Sequence, residues 1–169
     1  MEIIDYNGTG EWTRDAILDR YARYIEAFDV PCPRILKAKE HEESDRRWIY
    51  PVMHAVIDGI EAGDAACIQI GIEFIETDQR FPFGRILKSQ TARALRRAAI
   101  SPEQQTRIRK RVIGMLTAGN TPREYREYAK LLRKIGLGED WDRVKDSLDL
   151  NKWLVNRYYE YFEKHAQPG

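Results

Sequence analysis

The chain has 169 residues, 43% of them hydrophobic and 33% charged, which predicts one folded domain around a single core. No run of about 18 apolar residues occurs, so a simple membrane-spanning helix is excluded. The first residues lack the basic start and apolar run of a signal peptide, and we expect a cytoplasmic protein. Cys32 and Cys67 lie in very different surroundings, which predicts no disulfide.

The formal net charge of +1 conceals a separation of charge along the chain. Residues 1 to 79 carry 8 Lys/Arg against 17 Asp/Glu, whereas residues 80 to 134 carry 15 against 3. Within the single predicted domain 1–169 we distinguish an acidic front (1–79), a basic middle (80–134) and aromatic-rich C-terminal helices (135–165). Such asymmetry indicates an acidic or polyanionic partner.

The first predicted element is an amphipathic helix over residues 12–28. Apolar residues recur there at helical spacing, and Thr13 precedes them as a candidate N-cap. Pro31 and Pro33 end this helix, because proline cannot donate to the helical ladder. Residues 30–44 are therefore predicted to be a loop with at most one helical turn.

A second helical pattern covers residues 49–60. Pro51 lies either in its first turn or at a kink in a helix that begins near Ser44. Gly63 ends the pattern, and Asp64 is placed to cap the helix that follows.

Residues 68–74 alternate like a half-buried strand but also fill a wide helical arc together with Cys67 and Ile75. A strand would need a partner, and only the short run from residue 2 to residue 6 offers one. We predict a buried helix.

Two helix starts in the second half share one pattern, in which a cap residue is followed by proline and then by Glu or Gln. They are residues 101–104 and 121–124. Gly119 and Gly136 stand where helices end. With the helix predicted over 87–98 and two more at the C-terminus, the fold class is all-α, with about seven helices in antiparallel hairpins that form a HEAT-like array or an irregular bundle.

The two proline-containing starts lie 20 residues apart, so one helical hairpin occupies about 40 residues, the period of HEAT and armadillo repeats. With the small-residue helix QTARALRRAA, residues 47–137 in this respect resemble a HEAT/armadillo-like array. The resemblance implies a scaffold that binds partners on a helical face, and it implies no chemistry.

The cations in the helix over 87–98 and just before it lie opposite the apolar stripe and predict an exposed basic face. They are Arg85, Lys88, Arg93, Arg96 and Arg97. The next two helices extend the basic character with Lys110, Arg126, Lys130 and Arg133. Tyr125 and Tyr128 interleave with cations as a stacking platform would, but their spacing favours the core.

This basic face predicts a non-enzymatic scaffold or interaction protein that binds an acidic protein partner or a second copy of itself. The alternative is backbone-directed nucleic-acid binding. The simplest structural interpretation is a solvated face that the acidic front partly neutralises.

A turn in the basic middle suggests a small anion site. Arg80, Gly84 and Arg85 surround the start of a helix whose backbone N–H groups could face an anion. The structural alternative is a plain turn held by Phe81 and Phe83.

Histidine occurs only at positions 41, 54 and 165, which restricts enzyme hypotheses. In a hairpin about Gly63, His54 lies roughly 7 Å out of register with Cys67, too far for a catalytic pair. The same register brings His54 near Glu73 and Glu76, so a small hydrolase or metal site is a second alternative beside an ordinary buried polar contact. We predict no catalytic residue, metal or cofactor.

Overall fold

The computed structural model describes residues 1–165. Their contacts group into two compact units, Met1–Ala99 and the chain from Ile100 onward. The described residues form eight α-helices and one three-stranded sheet. The predicted helical majority is confirmed, but the purely all-α prediction is wrong. No helix in this part of the chain is both long and apolar enough to cross a membrane. The single-domain prediction stays a prediction, and each unit is described separately.

The first unit contains the sheet, made of β1 (Glu2–Asp5), β2 (Glu40–Glu43) and β3 (Arg46–Ile49). β3 lies in the centre, parallel to β1 and antiparallel to β2. Residues 30–39 contain no helix or strand, as predicted, but the predicted loop is wrong for residues 40–43, and the alternative in which a helix begins near Ser44 is wrong.

Charge pairs replace apolar alternation in these strands, which explains the error. Arg47 on β3 pairs with Glu40 and Glu42 on β2, and Arg46 lies 2.9 Å from Glu2 on β1. Opposite charges across strands stabilise a sheet, but they leave none of the hydrophobic periodicity from which a strand is predicted.

Four helices complete the first unit: α1 (Arg14–Ala27), α2 (Met53–Glu61), α3 (Ala65–Glu76) and α4 (Gly84–Leu95). α1 begins as predicted, because the Thr13 side chain accepts the backbone N–H of Ala16. Pro51 precedes α2 without kinking it, and Val52 is the N-cap residue. α3 packs against the other three helices and forms the centre of the core.

The helix predicted for residues 68–74 is confirmed as part of α3. Every residue from Ala66 to Ile72 is buried. A helix that is apolar on all sides has no single polar face, so its sequence can also be read as a strand. Gly63, at φ 81°, ends α2, and the Asp64 carboxylate caps α3 by accepting the Cys67 N–H at 3.0 Å.

The second unit consists of α5 (Pro102–Thr117), α6 (Tyr125–Ile135), the short α7 (Asp140–Val144), a 3-10 turn over Lys145–Ser147, and α8 (Trp153–His165). α5 packs against α6, and α6 against α8. Ile108, Val112, Leu116 and Leu132 are fully buried between these helices.

The two proline-containing helix starts differ in the structure. Ser101 forms the predicted capping box with Gln104 at the start of α5. The start predicted at Thr121 is wrong, since α6 begins at Tyr125 after a turn in which the Tyr125 N–H donates to the carbonyl of Pro122.

Candidate functional site: basic surfaces and a groove

The predicted basic face of α4 forms only in part. Its accessible members are Arg85, Arg93, Arg96 and Arg97. Lys88 is buried, with 7% of its surface exposed, and its ammonium donates to the carbonyl of Thr77. The prediction that Lys88 is exposed is wrong, because a lysine stem can lie in the core while its charged end reaches a carbonyl.

The turn before α4 places Arg80, Gly84 and Arg85 close together in the chain, and both arginines are exposed. Phe83 is the N-cap residue, with a left-handed φ of 58°. Phe81 packs against two core aromatic rings of the unit and holds the turn in place. The predicted anion-binding role of this turn stays a prediction.

The cations of α6 share its solvent face. Arg126, Lys130 and Arg133 follow one another at helical spacing, and Lys134 lies next to them. Lys130 is half-buried and pairs with Glu127 at 3.3 Å, whereas the other three are exposed. We call these four residues the basic stripe of α6.

Three members of the basic stripe have no carboxylate partner within residues 1–165, and one of them, Arg133, contacts only the Tyr161 hydroxyl. The other two are Arg126 and Lys134, and Lys110 on α5 likewise has no carboxylate partner in that range. From Ile100 onward the sequence carries 14 Lys/Arg against 10 Asp/Glu, whereas residues 1–99 carry 14 against 17. The second unit is therefore the positively charged part of the chain.

Tyr125 and Tyr128 belong to the core, as their spacing predicted. Both are buried, and the Tyr125 hydroxyl donates to the Val112 carbonyl at 2.8 Å. Burial raises the pKa of Tyr125. Neither ring is available to stack on a base, so the aromatic platform interpretation is wrong.

A groove of about 1080 Å³ lies in the second unit where α6 ends. It is lined by the last turn of α6, the loop over residues 136–138, α7 and the C-terminal part of α8. Trp141 and Phe162 supply buried aromatic rings whose centroids are 5.4 Å apart. Seven of the thirteen lining residues carry ionisable side chains and both rings are almost fully buried, so the surface that the groove presents is mainly polar.

Two carboxylates on one side of the groove have partners, and the exposed Glu139 lines the groove as well. Glu163 accepts the indole N–H of Trp141 at 2.7 Å, and the Lys145 ammonium lies 3.9 Å away from it. Lys145 also pairs with Asp142 at 2.9 Å. One lysine charge is thus shared between two carboxylates, and this side of the groove keeps a net negative charge.

The other side of the groove is electropositive. Arg133 donates to the neutral hydroxyl of Tyr161 at 3.5 Å, and the exposed Lys134 lies next to it. Partial burial lowers the pKa of His165, and the positive charges of Arg133 and Lys164 lower it further. The positive charges at this end of the groove therefore disfavour protonation of His165.

Arg109 fixes the loop that lines the groove. Its guanidinium donates to the carbonyls of Ile135 and Gly136, each at 2.8 Å. Gly136 and Gly138 have positive φ values of 88° and 73°, and a Cβ on Gly138 would lie 3.0 Å from the Arg109 Cδ. The sequence analysis missed the groove. Two glycines separated by a single residue at a helix end are nevertheless a visible signal of a constrained loop.

Within residues 1–165 no metal site forms around His54, Glu73 and Glu76, and the small hydrolase suggested there stays a prediction. Glu73 is held by the hydroxyl of Tyr24 and by the Arg20 guanidinium at 3.3 Å. Burial lowers the pKa of His54, whose charged neighbours are Lys39 and Asp58. Residues 1–165 contain no group of three His, Cys, Asp or Glu side chains able to hold a metal ion.

No protein-family model, curated protein or solved structure significantly matches the chain. The HEAT/armadillo-like resemblance consequently stays a prediction. The arguments for function therefore rest on this chain's own residues.

Proposed function

We propose that this chain is a non-enzymatic interaction protein that binds an acidic surface of a partner protein through the basic stripe of α6. The observation that carries the proposal is the exposure of Arg126 and Lys134 on one helix face with no carboxylate partner within the described residues. Cations placed in this way attract a negatively charged surface and raise the rate of association.

The size of the stripe favours a protein over nucleic acid. From residue 126 to residue 134 a helix rises about 12 Å, at about 1.5 Å per residue. That length matches a few carboxylates on one helix or loop, whereas DNA-binding proteins commonly neutralise about 6–10 phosphates.

A labelled peptide of ten glutamates tests the proposal by fluorescence anisotropy at about 50 mM salt. We expect saturable binding that Arg126→Glu combined with Lys134→Glu weakens about tenfold or more, because two attractions become repulsions. Arg85→Glu combined with Arg97→Glu is the matched control, since it reverses two exposed cations of the first unit. If the double variant bound the peptide as tightly as the native chain, the basic stripe would not be the binding surface and the proposal would be wrong.

Two further measurements separate the competing partners. Tighter binding of single- or double-stranded DNA or RNA than of the peptide, with a steep salt dependence, would favour the nucleic-acid alternative. Analytical ultracentrifugation over a concentration series would reveal self-association. A dimer that the double variant abolishes would identify the acidic partner as a second copy of the chain.

A further inference from the structure

A group of apolar side chains is exposed to solvent where α8 begins. Trp153 is 68% exposed, Leu150 in the preceding turn is 43% exposed, and Leu154 is 38% exposed. Single exposed apolar residues are common on proteins, but a largely exposed tryptophan with two leucines beside it in the chain is typical of a surface that binds another protein. We call these three residues the apolar patch of α8.

Arg157 lies over the exposed indole of the patch. Its guanidinium carbon is 5.4 Å from the centroid of the Trp153 ring, in cation–π contact. Arg157 is itself exposed and has no carboxylate partner within residues 1–165. Its N–H donors are therefore available to a carboxylate of another molecule, directly beside an apolar surface.

The charges close to the patch balance one another. Residues 149–160 carry two exposed cations and two exposed carboxylates, which are Lys152, Arg157, Asp149 and Glu160. The Lys152 ammonium lies at the end of α5, where a Cβ on Gly119 would be 2.5 Å from it. The patch consequently selects its occupant by apolar contact and through Arg157, since it offers little net charge.

The net positive charge lies on the neighbouring α6, whose basic stripe has three cations without a carboxylate partner within residues 1–165. The ring centroids of Tyr125 on α6 and Tyr158 on α8 are 4.7 Å apart. Burial raises the pKa of the Tyr158 hydroxyl, and the positive charges of Arg157 and Arg126 both act against this rise. The Arg126 end of the basic stripe therefore lies near Arg157, and the stripe adjoins the patch.

We propose that the apolar patch of α8 receives an apolar side chain of the acidic partner, whose carboxylates lie along the basic stripe of α6. The partner segment is then amphipathic, with an apolar residue at one end of a run of acidic residues. This inference rests on the proposed function and adds selectivity to it, since the stripe alone attracts any acidic chain. Tryptophan suits this role, because it supplies a large contact area at a low cost in conformational entropy.

Charge favours this partner over a second copy of the chain. In a two-fold dimer formed through the patch, the same surface of both chains would meet. Arg157 and the Arg126 end of the stripe would then face the same cations of the other copy, which costs affinity. A segment that has carboxylates beside its apolar residue presents the opposite charge to these cations.

Two labelled peptides of equal length and charge test the inference by fluorescence anisotropy at about 50 mM salt. One consists of ten glutamates with two leucines at each end, and the other has serines in place of the leucines. We expect the leucine peptide to bind about tenfold more tightly, because a leucine side chain is buried against Trp153. Leucines at both ends make the result independent of the direction in which the peptide lies.

Trp153→Ala should remove this gain and leave the affinity for the serine peptide unchanged. The substitution truncates an exposed side chain, so the core of the unit stays intact. Ile35→Ala is the matched control, since Ile35 is 92% exposed and belongs to the first unit. This control should keep the preference of the native chain for the leucine peptide.

Acrylamide quenching of tryptophan fluorescence detects the same contact in the native chain. Trp153 is the most exposed of the four tryptophans, so it contributes the largest share of the quenching. The leucine peptide should reduce the quenching, because its apolar end covers the indole. The serine peptide should leave the quenching unchanged.

Equal affinity of the two peptides for the native chain overturns the inference, and so does a leucine preference that survives in Trp153→Ala. In both cases the proposed function stands if the serine peptide still binds through the stripe. Peptide binding that Arg126→Glu combined with Lys134→Glu leaves unchanged overturns the proposed function instead. Trp153-dependent dimers, or Trp153-dependent binding of phosphatidylserine vesicles, without a leucine preference would show that a second copy or an anionic membrane occupies the patch.

Discussion

Glycine at position 59 allows α2 and α3 to approach closely. A Cβ on Gly59 would lie 2.3 Å from the Cys67 Sγ and 2.9 Å from its Cβ, distances that require the helices to move. Gly114, on the exposed side of α5, has no atom within 4 Å of such a Cβ. The two residues are both helical, and only their surroundings differ.

Gly59→Ala should therefore destabilise the protein by about 1–3 kcal/mol through overpacking, despite its gain in helix propensity. Gly114→Ala should stabilise it by about 0.5–1 kcal/mol, because only the propensity changes. Urea denaturation followed by circular dichroism measures both. Similar changes in the two variants would show that the Gly59 contact with Cys67 can relax at little cost.

The two thiols should differ sharply in reactivity. Burial, together with the negative charge of Asp64, raises the pKa of Cys67 to about 12, whereas Cys32 is exposed. Since the thiolate is the reactive form, we expect a chromogenic disulfide reagent to modify one thiol per native chain rapidly. The second should react only after unfolding. Cys32→Ser should abolish the rapid phase, and a rapid reaction remaining in that variant would contradict the burial of Cys67.

At the scale of elements, hydrogen bonding decides which of two similar sequences starts a helix. Ser101 accepts the Gln104 N–H at 3.2 Å and the Gln104 side chain reaches back to the Ser101 N–H, whereas α6 begins beyond Thr121 with no side-chain cap. Both segments carry the cap-proline pattern. The pattern permits a capping box but does not ensure that the box forms.

Ser101→Ala should cost about 1 kcal/mol of stability, because a helix N–H loses its acceptor. Thr121→Ala is the matched control and should change stability by less than about 0.5 kcal/mol. Thermal unfolding by calorimetry or circular dichroism compares them. A larger loss for Thr121→Ala would mean that its hydroxyl caps α6 in solution.

For the whole molecule, the boundary between the two compact units lies within the basic middle, since residues 80–99 belong to the first unit. Residues 1–99 are net acidic by formal charge, and the remainder is net basic. Many acidic groups of the first unit already pair within it, for example Glu2 with Arg46 and Glu73 with Arg20. This internal pairing reduces the acidic charge that the first unit can offer to any cation.

Mild acidification should destabilise the fold. Burial lowers the folded-state pKa of His54 below its usual 6.5, with a further contribution from Lys39, so the unfolded chain binds a proton more readily. Stability is therefore full above about pH 6.5 and falls as the pH drops from there toward the folded-state pKa. We expect a lower urea midpoint at pH 5.5 than at pH 7.5, and a smaller difference in His54→Gln. If the difference between the two urea midpoints were the same in His54→Gln, His54 would not be a cause of the acid destabilisation.

The sequence by itself determined the helical majority, the buried character of α3, the Ser101 cap and the basic character of the second half. These features follow from periodicity, local hydrogen bonding and composition, which act over a few residues. The β2–β3 hairpin escaped prediction because its strands are joined by charge pairs and carry no apolar alternation.

Only the tertiary structure decided three features. They are the burial of Lys88, the binding of Glu73 by Tyr24 and Arg20, and the groove at the end of α6. Each depends on groups far apart in sequence: Lys88 lies 11 residues from its acceptor Thr77, and Tyr24 lies 49 residues from Glu73. The groove joins the end of α6, α7 and the end of α8. Local patterns specify which residues form a helix, but the packing of helices specifies which side chains meet, and the candidate sites depend on that packing.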